Sequence, residues 1–342
     1  MDLHCDTLMK SYKQKIVDLT RLKDTMLDIE RMKQGAYMAQ VFAIFMPPLD
    51  GIEARFKGEG FSDEAYIEHC FKAFKTTMEL SAPLVAEGAS AAAIEANEKA
   101  GKMSAFLSFE DGRPIAGRLE NLDRYYRKGI RLITLTWNGE NCFGFPNSQN
   151  AGIMNAPLKP FGRDAVLRMN EIGMIVDVSH LSDGGFWDVA ELSKKSKKPF
   201  VASHSNCRAL SPHPRNLTDD MIRALAEAGG VAGLNFNPGF VNPDTESNLS
   251  TAAGISAHAK HLINTGGSEC AALGGDLDGI EGNIEIDGAE KLPLLLDQFK
   301  KDGMSWDQIE KIAWKNALRV IKALSVTLAL LFDWVWRLAP PK

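Results

Sequence analysis

Three histidines and four carboxylates in this 342-residue sequence stand at the ends of short apolar runs. They are His4 and Asp6 in DLHCD, Glu110 in SFEDG, His180 in DVSH, His204 in ASHS, and Asp276 with Asp278 in GGDLDG. On a strand, residues i and i+2 face the same way, so His4 and Asp6 can hold one cation from a single strand; they can equally be polar side chains of a half-buried strand. Neighbouring strands lie about 4.8 Å apart, so the imidazoles of His180 and His204 can share a metal at about 2.1 Å. Glu110 reads as an acidic turn before Asp111–Gly112 or as a carboxylate bridging two cations. Two cations about 3.5–4 Å apart can hold a hydroxide and polarise a carbonyl. Asp276 is a structural cap or the group that takes the proton from that water and passes it to a leaving amine. Arg215, in HPRN, makes a surface salt bridge or a fork for a substrate carboxylate. No GxxxxGK[ST], GxGxxG, GxSxG or HExxH pattern occurs, which disfavours ATP chemistry, nicotinamide binding and serine hydrolysis.

Those groups need a scaffold that brings distant chain segments to one rim. From residue 163 onward the sequence repeats one pattern: amphipathic helix, glycine or proline, short β-rich run, polar residue. Strand-like runs fall at residues 3–6, 36–46, 103–109, 130–136, 174–178, 200–202, 231–236 and 271–273. Helix patterns fall at 163–172, 184–195, 218–228 and 255–264. Eight strands alternating with helices predict a single (β/α)8 TIM-type barrel over residues 1–322, with catalysis at the C-terminal ends of the strands. Residues 47–62 read as a polar insertion on that rim, and Ile67, Phe71, Phe74 and Met78 as the core face of the helix after it. His69, His258 and His261 lie on helix patterns, where a solvated face is expected; His213 lies in a loop that can reach the rim.

Lys and Arg number 39 against 44 Asp and Glu, a formal charge of −5, which offers no basic stripe for nucleic acid. The five cysteines form no CxxC pair and fit reduced thiols in the cytoplasm. No signal peptide is visible. The apolar stretch 323–342 carries Asp333 and Arg337, so a packed C-terminal helix is expected there and not a membrane span.

The ordered series DLHCD, SFEDG, ITLTWN, DVSHLS, ASHSNCRA, HPRN, GGDLDG and NALRV resembles the membrane dipeptidase (renal dipeptidase, peptidase M19) family of amidohydrolase-like metallo-barrels. The resemblance runs from residue 2 to about 320. It implies a dipeptidase with two Zn2+ per chain that commonly accepts a D-residue at the C-terminal position. By motif, His4 and Asp6 would bind the first zinc, His180 and His204 the second, and Glu110 both. Arg215 would meet the substrate carboxylate, and Asp276 would be the acid and base. Where better-known members carry a histidine after the fourth strand, this chain has Trp137, which donates a hydrogen bond but carries no charge. Trp137 and Asn138 are expected to contact substrate, with Asn141 and His213 as further groups that can compensate. The partners expected are a small dipeptide and no nucleic acid, with room for a homodimer. Another two-metal amidohydrolase acting on a lactone, cyclic amide or phosphoester, and a non-catalytic metal-binding barrel, are the alternatives.

Overall fold

β-branched and aromatic residues concentrate in eight strands that pair into one parallel sheet. A computed structural model of the protein describes residues 1–48, 61–244 and 246–324. The strands are β1 (Ala39–Phe45), β2 (Val85–Glu87), β3 (Met103–Glu110), β4 (Ile130–Thr134), β5 (Ile175–Asp177), β6 (Val201–Ala202), β7 (Val231–Leu234) and β8 (Ala271–Leu273). Their order is β1-β3-β4-β5-β6-β7-β8, with the short β2 on the first half of β3. β2 was not legible as a strand, because Val85–Glu87 is no apolar run: it is buried only at Val85 and ends on the exposed Glu87.

The expected first strand is instead a thin closing stave. Asp2 bridges both Gln40 of β1 and Leu273 of β8, and Cys5 bridges Leu277. Backbone bonds from Asp2 to Ala39, Leu3 to Leu273 and Asp6 to Leu277 join the two ends of the curled sheet. Asp6 itself stands before the helix Thr7–Gln14 as its N-cap residue.

Buried on both faces, β1 and β3 show uninterrupted burial, as a sheet covered by helices requires. The helices Asp63–Leu80, Pro160–Ile172, Asp183–Ser196, Asp219–Glu227 and Ala252–Gly266 pack outside it. Sequence signals place their ends. Ser62, Ser182 and Thr218 accept from the backbone N–H three residues on, and Gly173 stops its helix at φ 78°. Ile67, Phe74 and Met78 of the first of these helices join the core, and Phe71 packs partly against it. The bottom of the barrel is closed by the helix Asn316–Leu324, whose Ala317, Leu318, Val320 and Ile321 meet Leu3, Phe106, Leu132 and Val201. Each buried Leu, Ile, Val or Phe side chain there contributes about 1.5–3 kcal/mol.

The expected insertion at 47–62 and the tail at 323–342 lie outside the described residues, except for Pro47, Pro48, Phe61 and Ser62 and for Ala323 and Leu324, which end the last helix. Among the described residues no helix is long and apolar enough to cross a membrane.

Candidate metal centre

Strand ends bring His4, Asp6, Glu110, His180, His204 and Asp276 to one buried point at the top of the barrel. Glu110 closes β3 and lies at its centre. Its Oε2 is 3.5 Å from His4 Nε2, while its Oε1 is 3.0 Å from His180 Nε2 and 3.5 Å from His204 Nε2. His4 Nε2 is also 3.9 Å from Asp6 Oδ2 and 3.8 Å from Asp276 Oδ1. The His4 and His204 rings stack at 3.8 Å. Among the described residues two sets of donor atoms are close enough to hold an ion: His4, Glu110 and His204, and His4, Asp6 and Asp276. His4 belongs to both.

Several of these atoms are orphaned. His4 Nδ1 and Nε2, Asp6 Oδ1 and Glu110 Oε2 are buried without a hydrogen-bond partner among the described residues. Buried polar atoms are ordinarily satisfied, so a cluster of unsatisfied imidazole and carboxylate atoms fits a divalent cation. Gly279 is shaped to the same end: a Cβ there would run into Asp6 Oδ2 and Asp276 Oδ1.

The backbone is bent to aim the groups. His180 and Asp276 have φ of 66° and 60°, left-handed values that side-chain-bearing residues seldom adopt. Burial dominates the electrostatics. Burial, with Asp6 nearby, pushes Glu110 up to about 8, and burial raises Asp276 to about 6. His180 and His204 are held well below the usual histidine range, by burial first and then by the positive charges around them. Burial opposes charge on His4 too, but Glu110 and Asp6 outweigh it and lift its pKa.

Arg215 is buried, and the expected surface salt bridge is not formed. Its Nη1 donates to Ser205 Oγ at 3.1 Å and its Nη2 to the His204 carbonyl at 3.2 Å; it makes no ion pair among the described residues. Burial lowers its pKa to about 10, so it stays cationic. Trp137 is half-buried, edge-on to Phe45 at 4.9 Å and 6.0 Å from the His180 ring. With Asn138, Asp111 and Arg113 it lines a cleft of about 680 Å³ that opens beside the centre.

Other expected residues are committed elsewhere. The Asn138 amide oxygen lies 3.0 Å from His180 Nδ1 and holds that ring. Asn141 donates to Asp111 and to the Leu135 carbonyl. His213 accepts from the Arg215 backbone N–H. Asp278 leaves the rim: it accepts from Thr7 Oγ1 at 2.6 Å and from the Met26 backbone N–H at 2.7 Å. His258 is not solvated but buried, accepting from the Cys207 N–H and lying 3.0 Å from the Val241 carbonyl.

Two contributors escaped the sequence reading. Asn235 follows β7 and donates to Asp276 Oδ2 at 2.9 Å. Asp177 ends β5 and gathers donors from three residues behind His204. The signal for both was the one used elsewhere, a polar residue at a strand's C-terminal end, and it was not extended to them.

The chain is similar to known proteins over nearly its whole length. The family model for membrane dipeptidase (peptidase family M19) matches residues 1–329. An uncharacterised protein of the pqqA 5′ region of Klebsiella pneumoniae is 37% identical over 213 residues, 60% of this chain and 76% of that protein. Dipeptidase tcpJ of Claviceps purpurea is 31% identical over 225 residues, 66% of this chain and 52% of its own length. The matched stretch thus spans about half of that fungal enzyme. The crystal structure of a dipeptidase AC, a metallopeptidase of family M19, superposes with a TM-score of 0.83 at 26% identity, covering 94% of this chain and 96% of that one. A Rhodobacter sphaeroides metallopeptidase liganded with a phosphinate mimic of the dipeptide L-Ala-D-Ala gives 0.82 at 26% identity, covering 95% and 98%. The chain belongs to the membrane dipeptidase family, the M19 metallopeptidases.

Proposed function

We propose that this protein hydrolyses the peptide bond of dipeptides, Xaa-D-Xaa and Xaa-Gly among them, with two zinc ions held by His4, Asp6, Glu110, His180 and His204. The observation that carries this is the division of Glu110: one oxygen faces His4, the other faces His180 and His204. A carboxylate placed so can bridge a cation beside His4 and another beside His180 and His204. When bound, paired cations activate a water and polarise the scissile carbonyl.

The remaining work falls to the chain's own groups. Asp276 accepts a proton at Oδ1 and returns it to the departing amine nitrogen, while Asn235 fixes the other carboxylate oxygen. Its raised pKa, about 6, suits both directions near neutrality. Arg215, cationic and without a carboxylate partner among the described residues, binds the substrate's C-terminal carboxylate. Trp137 walls the substrate space against the cleft and offers its indole N–H and face. Acceptance of a D-residue is supported by the L-Ala-D-Ala mimic bound to the Rhodobacter relative. Five unpaired cysteines support a reducing compartment.

Elemental analysis of the purified protein with a dipeptide panel tests the reading. About two zinc ions per chain and chelator-sensitive release of amino acids are expected. Inert dipeptides with turnover of lactones or cyclic amides would replace it with another amidohydrolase activity.

A further inference from the structure

The motifs DVSH and ASHS each carry more polar residues than ligation uses, and the structure joins the surplus into one chain of hydrogen bonds. Asp177, Ser203 and Thr134 are fully buried. Asp177 Oδ1 accepts the backbone N–H of Ser179 at 3.0 Å and of Ser203 at 2.8 Å. Asp177 Oδ2 accepts the hydroxyls of Thr134 at 2.6 Å and Ser203 at 2.5 Å. Ser203 Oγ is at the same time 2.6 Å from His204 Nδ1. The neighbouring glycines 233 and 274 let the Ser203 carbonyl sit where any Cβ would collide with it, so this backbone has one position. Ser179 Oγ accepts the His204 N–H at 3.1 Å and fixes the next residue too.

A hydroxyl has one proton. A carboxylate only accepts, so the Ser203 proton goes to Asp177, and Ser203 Oγ must then accept from the imidazole. The proton on His204 is therefore on Nδ1, and the Nε2 lone pair points at Glu110 and His180. We propose that Asp177 and Ser203 are positioning residues: a carboxylate–hydroxyl relay that locks His204 in the tautomer able to bind a cation through Nε2. This rests on the reading of His204 as a metal ligand. His180 reaches the same state more simply, through the Asn138 amide oxygen.

The relay has a direction, and one substitution reverses it. In Asp177→Asn the oxygen keeps the two backbone donors and the amide NH2 faces the two hydroxyls. Ser203 Oγ must then accept from the amide and donate to His204 Nδ1, which drives the ring proton onto Nε2.

The test uses full-length protein with 15N-labelled histidine, stripped of metal, with two-bond 1H–15N spectra and the His204 signals identified by their loss in His204→Gln. The parent and Ser203→Thr should show the Nδ1–H form and Asp177→Asn the Nε2–H form. Zinc affinity by chelator competition should fall about 10–100-fold in Ser203→Ala and in Asp177→Asn, the usual effect of losing a group that orients a ligand, with recovery in Ser203→Thr. If Asp177→Asn does not fold, Ser203→Ala against Ser203→Thr decides. An Nε2–H tautomer in the parent overturns the relay. So does unchanged affinity in Ser203→Ala while His204→Gln loses zinc. Unweakened zinc binding in His204→Gln itself overturns the ligand assignment and the relay's purpose with it.

Discussion

The Nε2 atoms of His180 and His204 face each other across 3.1 Å. Each ring has its Nδ1 beside an oxygen, the amide of Asn138 in one case and the hydroxyl of Ser203 in the other. Two lone pairs therefore converge beside Glu110 Oε1, in a pocket where burial keeps both rings neutral. Neutral imidazoles and an adjacent carboxylate are what a zinc ion selects.

His180→Ala should lose about half of the bound metal and nearly all turnover, because the two proposed cations would act as one unit. Elemental analysis beside a dipeptide assay checks it; full metal content in the variant would remove His180 from the centre.

Asp276→Asn should retain metal and lose about 10²–10⁴-fold in kcat, the span of a lost general acid and base. A variant with parental kcat would leave the proton transfer to another group.

Arg215→Met should raise KM for dipeptides with a free C-terminal carboxylate by about 10–100-fold, in line with about 1.5–3 kcal/mol for a hydrogen bond to a charged group. C-terminally amidated substrates should be affected far less. Equal losses on both substrates would argue that Arg215 only supports Ser205 and the His204 carbonyl.

Gly279→Ala should fold and lose most activity, because its methyl group would displace Asp6 and Asp276 together. Circular dichroism establishes the fold and zinc stoichiometry the damage; an active, fully loaded variant would show that the two carboxylates have room to move.

His258 supplies a pH dependence away from the centre. It accepts the Cys207 N–H at Nδ1, and burial lowers its pKa to about 4. The folded state keeps it neutral, whereas the unfolded chain takes up a proton below about 6.5. Its contribution is therefore complete above pH 6.5 and is lost as pH falls toward 4, by roughly 3 kcal/mol in all at 1.36 kcal/mol per pKa unit. Urea unfolding at pH 7 and pH 5 should show a large difference in the parent. In His258→Gln, weaker at pH 7, that difference should shrink; an undiminished one would assign the acid sensitivity to other groups.

Much of the barrel was readable in advance, because short β-rich runs ending in glycine-punctuated helices obey local rules of periodicity and capping. Seven of the eight expected strands pair in the sheet, and the helix start at Thr218 follows from a cap oxygen before the carboxylates of Asp219 and Asp220. β2 was invisible because its three residues, Val85–Glu87, form no apolar run and end on an exposed glutamate. Residues 3–6 read as a strand yet form only bridges, since their pairing depends on where β1 and β8 end in space.

The sequence by itself determined the kinds of group at the strand ends and the order in which they occur, since both are properties of the chain. Only the tertiary structure decided which of them meet. Asp276 and Asp278 are two residues apart and equivalent on paper, but one closes on His4 and the other turns away to Thr7 and Met26. Asp177 is marked in the sequence only as a polar residue at a strand end, and it stands behind His204 because β5 and β6 are neighbours in the sheet. Proximity across a closed barrel is set by sheet register and backbone closure, which couple residues hundreds of positions apart and leave no mark in any local stretch of chain.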